Sequence, residues 1–274
     1  MRALLAALLA TLAAGPAARP SRPCGWEAQP PQHWQHVVWI WMENKSFGQV
    51  SSAPYLSRLA NGCGVATNYA AVAHPSLPNY LAATSGSDWG IRDDADPSAH
   101  PLAQPSIFGQ TDWRSYEESM PSNCDRTSSG LYAVKHNPAA YFTPLRAQCR
   151  KWDVPLGELQ PARLPSFTFI TPNLCNDMHD CPVGTGDAWL ARWVPRILSG
   201  SDYRSGRTAL FITFDEAEDR SNRVVTVVVA PSTRPGTRSA ARFTHYSLLK
   251  TTEDMLGLPH LGHAGASMLR AFRL

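Results

Sequence analysis

Several stretches of the chain are apolar, β-branched or aromatic at nearly every position, with no polar alternation. They are His36–Met42 (HVVWIWM), Ser166–Thr171 (SFTFIT), Thr208–Phe214 (TALFITF) and Arg223–Val229 (RVVTVVV). A short run of this kind, bounded by polar residues, predicts a strand buried on both faces of a mostly parallel sheet. A shorter strand is expected over Trp113–Glu117. Between these runs, helical spacing of apolar residues predicts helices over Pro54–Ala60, Ser76–Ala83, Asp187–Leu198 and Tyr246–Leu256, the last ended by Gly257. Alternation of the two patterns points to an α/β fold, a three-layer sandwich with a largely parallel central sheet.

In open sheets of this kind, ligands bind beyond the carboxyl ends of the strands. The polar residues that follow three of the apolar runs are Glu43-Asn44, then Asn173 through Asp180, then Asp215-Glu216. The fold therefore gathers acidic groups and histidine at one edge, which is the composition of a metal or acid–base site.

The amino end changes the picture of where the chain works. Arg2, the apolar run Leu4–Ala14 and the small residues Ala17-Ala18 have the three-part layout of a secretory signal over residues 1–18. Residues 19–35, rich in proline from Pro20 to Pro31, read as an extended lead-in. Nothing after the signal offers the roughly 18 consecutive apolar residues of a membrane span. A secreted protein, extracellular or periplasmic, with no integral membrane segment after cleavage is expected. The formal charge is +3, and loss of Arg2 with the signal leaves +2, far from the basic balance of a nucleic-acid binder.

Six cysteines (Cys24, Cys63, Cys124, Cys149, Cys175, Cys181), with no C-x-x-C pair, fit up to three disulfides in an exported protein. Cys175 with Cys181 and Cys124 with Cys149 are local candidates; the full pairing is open.

Glu43-Asn44 leaves a strand too hydrophobic to be a surface edge, so its carboxylate needs a partner such as a cation. Asn44-Lys45-Ser46 also matches a glycosylation sequon, but a glycan there would block the edge. Asp215-Glu216 ends a second core strand, whereas Glu218 and Asp219 read as a solvated acidic turn. Oxygen ligands of this kind suit Mg²⁺ or Ca²⁺, and Zn²⁺ or iron would also recruit imidazole. Asn173, Asn176, Asp177, His179 and Asp180 share one loop that a disulfide can rigidify. Ser76, at the first turn of a helix before Pro78, is either an N-cap or a nucleophile facing a phosphate at the helix amino end. His245 opens the last helix as an acid, a ligand or a cap. His33, His36, His100, His136, His260 and His263 read as incidental, and Arg92 and Lys45 as surface charges able to hold phosphate oxygens.

Taken together, Met42–Phe47 (MENKSF), His74–Gly86 (HPSLPNYLAATSG), Pro172-Asn173 with Asn176–Asp180 (NDMHD), Thr213–Glu216 (TFDE) and Thr244–Leu249 (THYSLL) resemble the phosphoesterase family. That family comprises bacterial acid phosphatases and phospholipase C-like enzymes within the alkaline phosphatase superfamily, and the likeness is greatest to its small secreted mycobacterial-type acid phosphatases. The resemblance implies an alkaline-phosphatase-like core in a single phosphoesterase domain over residues 36–274. It implies that Glu43, Asn44, Asp215 and Glu216 hold a divalent metal ion, one rather than two. Ser76 would be the nucleophile, passing through a phosphoseryl intermediate. Asn79 and Asp177 would contact the substrate, and His74, His179 and His245 would line the pocket as acid, base or phosphate contacts. The implied substrate is a small phosphomonoester, a phosphoinositide headgroup included. A phospholipase C-like phosphodiesterase and a non-catalytic secreted binding protein are the alternatives. A metal-free serine hydrolase using Ser76, Asp215 and His245 lacks the Gly-x-Ser-x-Gly elbow.

Overall fold

The computed structural model describes residues 22–263 and 265–274, so the secretory signal expected over residues 1–18 lies outside the described residues. The strands are β1 His36–Met42, β2 Gly64–Ala70, β3 Trp113–Glu117, β4 Asp153–Pro155, β5 Phe167–Thr171, β6 Thr208–Phe214, β7 Arg223–Val229, β8 Thr237–Ser239 and β9 Phe243–Thr244. They form a nine-stranded sheet in the order β4-β3-β5-β1-β6-β7-β2-β8, with β9 also paired to β2. β1 lies between β5 and β6 and is parallel to both. β7 alone runs against the others, antiparallel to β6 and to β2.

The apolar runs thus became the interior strands. Every residue from Val37 to Met42 is fully buried, so successive side chains on both faces of β1 are covered. On one face, the Trp39 indole donates to Thr252 Oγ1 (3.0 Å), and Trp41 packs on Tyr80 and His245. Those partners belong to helices Ser76–Ser85 and His245–Leu256, which pack against each other. Helices Pro54–Gly62 and Val183–Leu198 form a second packed pair. The left-handed caps Gly86 and Gly257 end the first pair of helices, in a backbone conformation that costs glycine least.

Two expectations are refined. Arg223–Val229 follows β6 after a short turn and therefore returns antiparallel rather than through a parallel crossover. Strands β2, β4, β8 and β9 have mixed composition or only two or three residues, and no periodic signal marked them. All six cysteines are paired: Cys24–Cys63, Cys124–Cys149 and Cys175–Cys181.

Asp187 ties the second helix pair together. Its carboxylate accepts the Tyr55 N–H (2.8 Å) and the Leu56 N–H (2.9 Å) at the amino end of helix Pro54–Gly62. Asp187→Ala strands these donors with little water to replace the carboxylate, at a cost of about 2–3 kcal/mol. Urea unfolding of the variant should show a lower midpoint with an unchanged slope.

Candidate active site

Three strand ends are laced together by backbone bonds. The Glu43 N–H donates to the Asp177 carbonyl (2.8 Å) and the Asp215 N–H to the Met42 carbonyl (3.0 Å). The Asn44 N–H donates to Asp215 Oδ1 (2.9 Å). Asn44 adopts φ +58°, a left-handed turn that asparagine tolerates better than most residues. Sequence order thus places Glu43, Asp177 and Asp215 side by side at the carboxyl edge.

Glu43 is the centre of the arrangement and is 0% exposed. Ser76 Oγ donates to its Oε2 (3.1 Å), and the Tyr80 hydroxyl donates to its Oε1. His136 Nε2 lies 3.2 Å from the same Oε2, and His136 Nδ1 lies 3.4 Å from Asp177 Oδ2. These are ion-pair distances without hydrogen-bond alignment, since His136 Nε2 and Asp177 Oδ2 have no hydrogen-bond partner. The His136 ring stacks on Tyr80, and its carbonyl accepts the Thr171 hydroxyl (3.1 Å), which fixes the turn Val134–His136 to the end of β5.

Electrostatics follow from burial. Burial pushes the Glu43 carboxyl up, but the charge and contact of His136 and the Tyr80 hydroxyl outweigh it, so its pKa lies below the ordinary value. Burial pulls His136 down, but the Glu43 charge and the Asp177 contact outweigh it and raise the imidazole to about 10. Burial carries Asp177 up to about 6. Asp215 lies well above its usual range, through burial first and then the charges of Glu43 and Glu216. Burial also raises Glu216, to about 7, against the opposing pull of His74.

The other expected residues divide. His74 Nδ1 lies 2.6 Å from Glu216 Oε2, with its side chain 53% exposed. The His179 N–H donates to Asp177 Oδ1 (2.7 Å), its Nδ1 pairs with Asp180 Oδ1 (2.7 Å), and its ring centre is 5.8 Å from that of His136. Met178 lies beneath this loop against Gly186, where a Cβ would come within 2.4 Å of Met178 Cγ. Ser76 is 2% exposed.

Asn79 is not free to touch a phosphate. Its Oδ1 accepts the Val72 and Ala73 N–H groups (3.0 Å each), and its Nδ2 donates to the carbonyls of Ala73 (3.0 Å) and Pro75 (3.1 Å). All four of its bonding sites are spent on the loop that carries Ser76. His245 is likewise engaged on both nitrogens, with Tyr69 Oη (3.1 Å) and the Asp215 carbonyl (2.6 Å), and burial lowers it to about 4. It lies under the edge as a neutral strut rather than in the pocket as an acid or base.

Two residues passed over in the sequence belong here. His136 sits in an isolated turn without helical or strand periodicity, and only folding brings it to Glu43. Lys135, its neighbour, donates to Asp94 Oδ2 (2.9 Å). Burial lowers the Lys135 ammonium, but the contact and charge of Asp94, with Glu43 and Asp215 further off, raise it overall. The cations singled out from sequence are committed elsewhere, Arg92 to Asp88 and Lys45 to Glu218.

The donor set fits a cation. Asp215 Oδ2 is buried without a partner, Asp177 Oδ2 and Glu216 Oε2 have only the His136 and His74 rings beside them, and Glu43, His136 and His179 bring donor atoms within 4.8 Å of one another. Mutually repelling, unsatisfied oxygens of this kind are what a divalent ion stabilises. A second group, Cys124, Cys149 and Asp153, does not fit, because both sulfurs are spent in a disulfide.

The chain is similar to known proteins in sequence and in fold. The sequence profile of the Phosphoesterase family matches residues 49–259. The chain is 33% identical over 241 residues to a phosphatidylinositol-3-phosphatase of Mycobacterium tuberculosis, covering 84% of this chain and 79% of that one. It is 30% identical over 254 residues to a phosphate-repressible acid phosphatase of Penicillium chrysogenum, again covering 84% of this chain but 61% of the relative. An acid phosphatase of Aspergillus fumigatus is similar at 31%, with 84% of this chain matched to 57% of its length. This chain therefore spans about three fifths of the fungal relatives. Among solved structures, the lipoteichoic acid synthase LtaP of Listeria monocytogenes shares the fold at TM-score 0.59 and 7% identity, over 86% of this chain and 76% of that one. A protein in the alkaline phosphatase superfamily from Vibrio parahaemolyticus does so at TM-score 0.56 and 11% identity, over 89% and 71%. With a profile match over residues 49–259 and a relative 33% identical over most of both chains, the chain belongs to the phosphoesterase family.

Proposed function

We propose that the protein is a secreted, metal-assisted phosphomonoesterase of the acid phosphatase type with Ser76 as nucleophile. The observation that carries this reading is the Ser76 Oγ to Glu43 Oε2 bond (3.1 Å), set beside Asp215 Oδ2, a buried carboxylate oxygen with no partner. Glu43, Asn44, Asp215 and Glu216 would hold one divalent ion, as the family resemblance implies. Such an ion, when bound, supplies Lewis acidity at the phosphoryl group and lowers the pKa of a nearby hydroxyl.

The chain's own residues account for the rest. Glu43, kept ionised by His136 and Tyr80, orients the Ser76 hydroxyl. Ser76 Oγ gives up its proton and forms a bond to phosphorus as the ester oxygen departs with its electron pair and takes up a proton, leaving a phosphoserine that water then cleaves to release phosphate and restore the hydroxyl. Proton traffic falls to His74 and His179, the two expected histidines nearest solvent, and not to His245. Asp177 supports the substrate side through its bond to the His179 N–H, whereas Asn79 positions the Ser76 loop.

The named activities of the relatives, acid phosphatase and phosphatidylinositol-3-phosphatase, support a monoester substrate, and a phosphoinositide headgroup is within this reading. Three disulfides favour an oxidising compartment. No helix among the described residues is long and apolar enough to cross a membrane. A single domain over residues 36–274 is part of the proposal, because one sheet collects strands from His36–Met42 to Phe243–Thr244.

Phosphate release from an aryl phosphomonoester is the direct assay. Ser76→Ala should lower kcat by about 10⁴-fold or more, and chelation should abolish turnover reversibly; full activity in either case contradicts the reading. A second expectation concerns stability. Glu216 titrates near 7 in the fold against 4.5 in its absence. The folded state thus binds the extra proton, and the contribution is present below pH 4.5 and lost as pH rises through 7. In chelated protein, Glu216→Gln should gain in thermal midpoint relative to the parent as pH rises from 4.5 to 8. Saturating divalent ion should erase or reverse that gain.

A further inference from the structure

The contacts around the nucleophile close into a ring. Ser76 Oγ reaches Glu43 Oε2 (3.1 Å), which lies 3.2 Å from His136 Nε2. The next residue back, Lys135, donates to Asp94 Oδ2 (2.9 Å), and Asp94 Oδ1 accepts the Leu77 N–H (2.9 Å), next in chain to Ser76. The Lys135 ammonium is therefore tied through Asp94 to the first turn of the helix that carries Ser76, with its side chain only 20% exposed. Arg92, by contrast, is 61% exposed and paired with Asp88, and Lys45 is paired with Glu218. Besides the His136 imidazolium, Lys135 is the cation that these contacts tie to the Ser76 turn.

We infer that Lys135 contacts the substrate phosphoryl group and sets the preference for a dianionic monoester over a monoanionic diester, with Asp94 as its positioning residue. This rests on the phosphoesterase reading of the same site. The physical reason is charge. A monoester phosphoryl group carries more charge on its oxygens than a diester does, so an ammonium at partial burial favours it more strongly. Asp94 supplies an anionic partner for Lys135 while the site is free, and its carboxylate bridges the two donors, the Lys135 ammonium and the Leu77 amide. A phosphoryl oxygen entering beside Ser76 competes with Asp94 for the ammonium.

The test compares an aryl phosphomonoester with the matching bis-ester. In Lys135→Met, monoester kcat/KM should fall roughly ten- to a hundredfold, the loss expected of one charge-assisted hydrogen bond, while bis-ester turnover changes by less than about threefold. Lys135→Arg should recover part of the monoester rate, which a packing role would not predict. Asp94→Asn keeps an acceptor for Leu77 but removes the competing charge, so inorganic phosphate should inhibit it more tightly than the parent. Equal loss on both esters in Lys135→Met, or weaker phosphate inhibition in Asp94→Asn, overturns the inference. If the parent hydrolyses neither ester, the hydrolase reading fails on its own. Calorimetric titration with inorganic phosphate still decides Lys135, since binding about tenfold weaker in Lys135→Met supports its role and equal binding refutes it.

Discussion

An ionised carboxylate with no exposure to solvent is a costly thing to build, because taking such a charge out of water costs several kcal/mol unless partners replace the water. Glu43 is that carboxylate, and much of the site exists to keep it charged. His136 places an imidazolium beside one oxygen, Tyr80 gives a hydroxyl to the other, and the Ser76 hydroxyl donates to the same oxygen as His136 faces. His136 in turn needs a fixed turn, and Thr171 and the Tyr80 ring supply it. The parallel sheet matters because it ends β1, β5 and β6 at one edge, where these partners can meet.

Around that centre the remaining acids are less well satisfied. Asp215 and Glu216 face Glu43 without enough donors, and burial raises both, so the edge holds protons more tightly than free carboxyls would. The same oxygens are suited to a divalent ion. Beneath them lies a layer bound into the fold by hydrogen bonds. His245 braces the Asp215 carbonyl, and Asn79 gathers the loop before Ser76 with four hydrogen bonds.

Much of this was legible in the sequence where burial imposes a pattern. β1 and β6 had to be apolar on both faces, so their ends, and with them Glu43 and Asp215, could be located from hydrophobic runs alone. β2 could not, because GVATNYA mixes small, polar and aromatic residues and is set by its pairing to β7. Ser76 and the loop through Asp177 and His179 were found from local motifs. His136 and Lys135 were not, since a single turn carries no period and their partners lie far away in the chain. Asn79 and His245 were expected in the pocket from the family resemblance. In the fold Asn79 bonds to backbone groups and His245 to the Tyr69 hydroxyl and the Asp215 carbonyl, contacts that sequence does not show.

The central claim is that Ser76 becomes covalently phosphorylated during turnover. Acid quenching of the enzyme during steady-state hydrolysis of a phosphomonoester, followed by digestion and mass spectrometry, tests it most directly. The account predicts a phosphoryl group on the peptide at Ser76, lost in Ser76→Ala. Turnover with no phosphopeptide, or with the label on His74 or His179 instead, would contradict it.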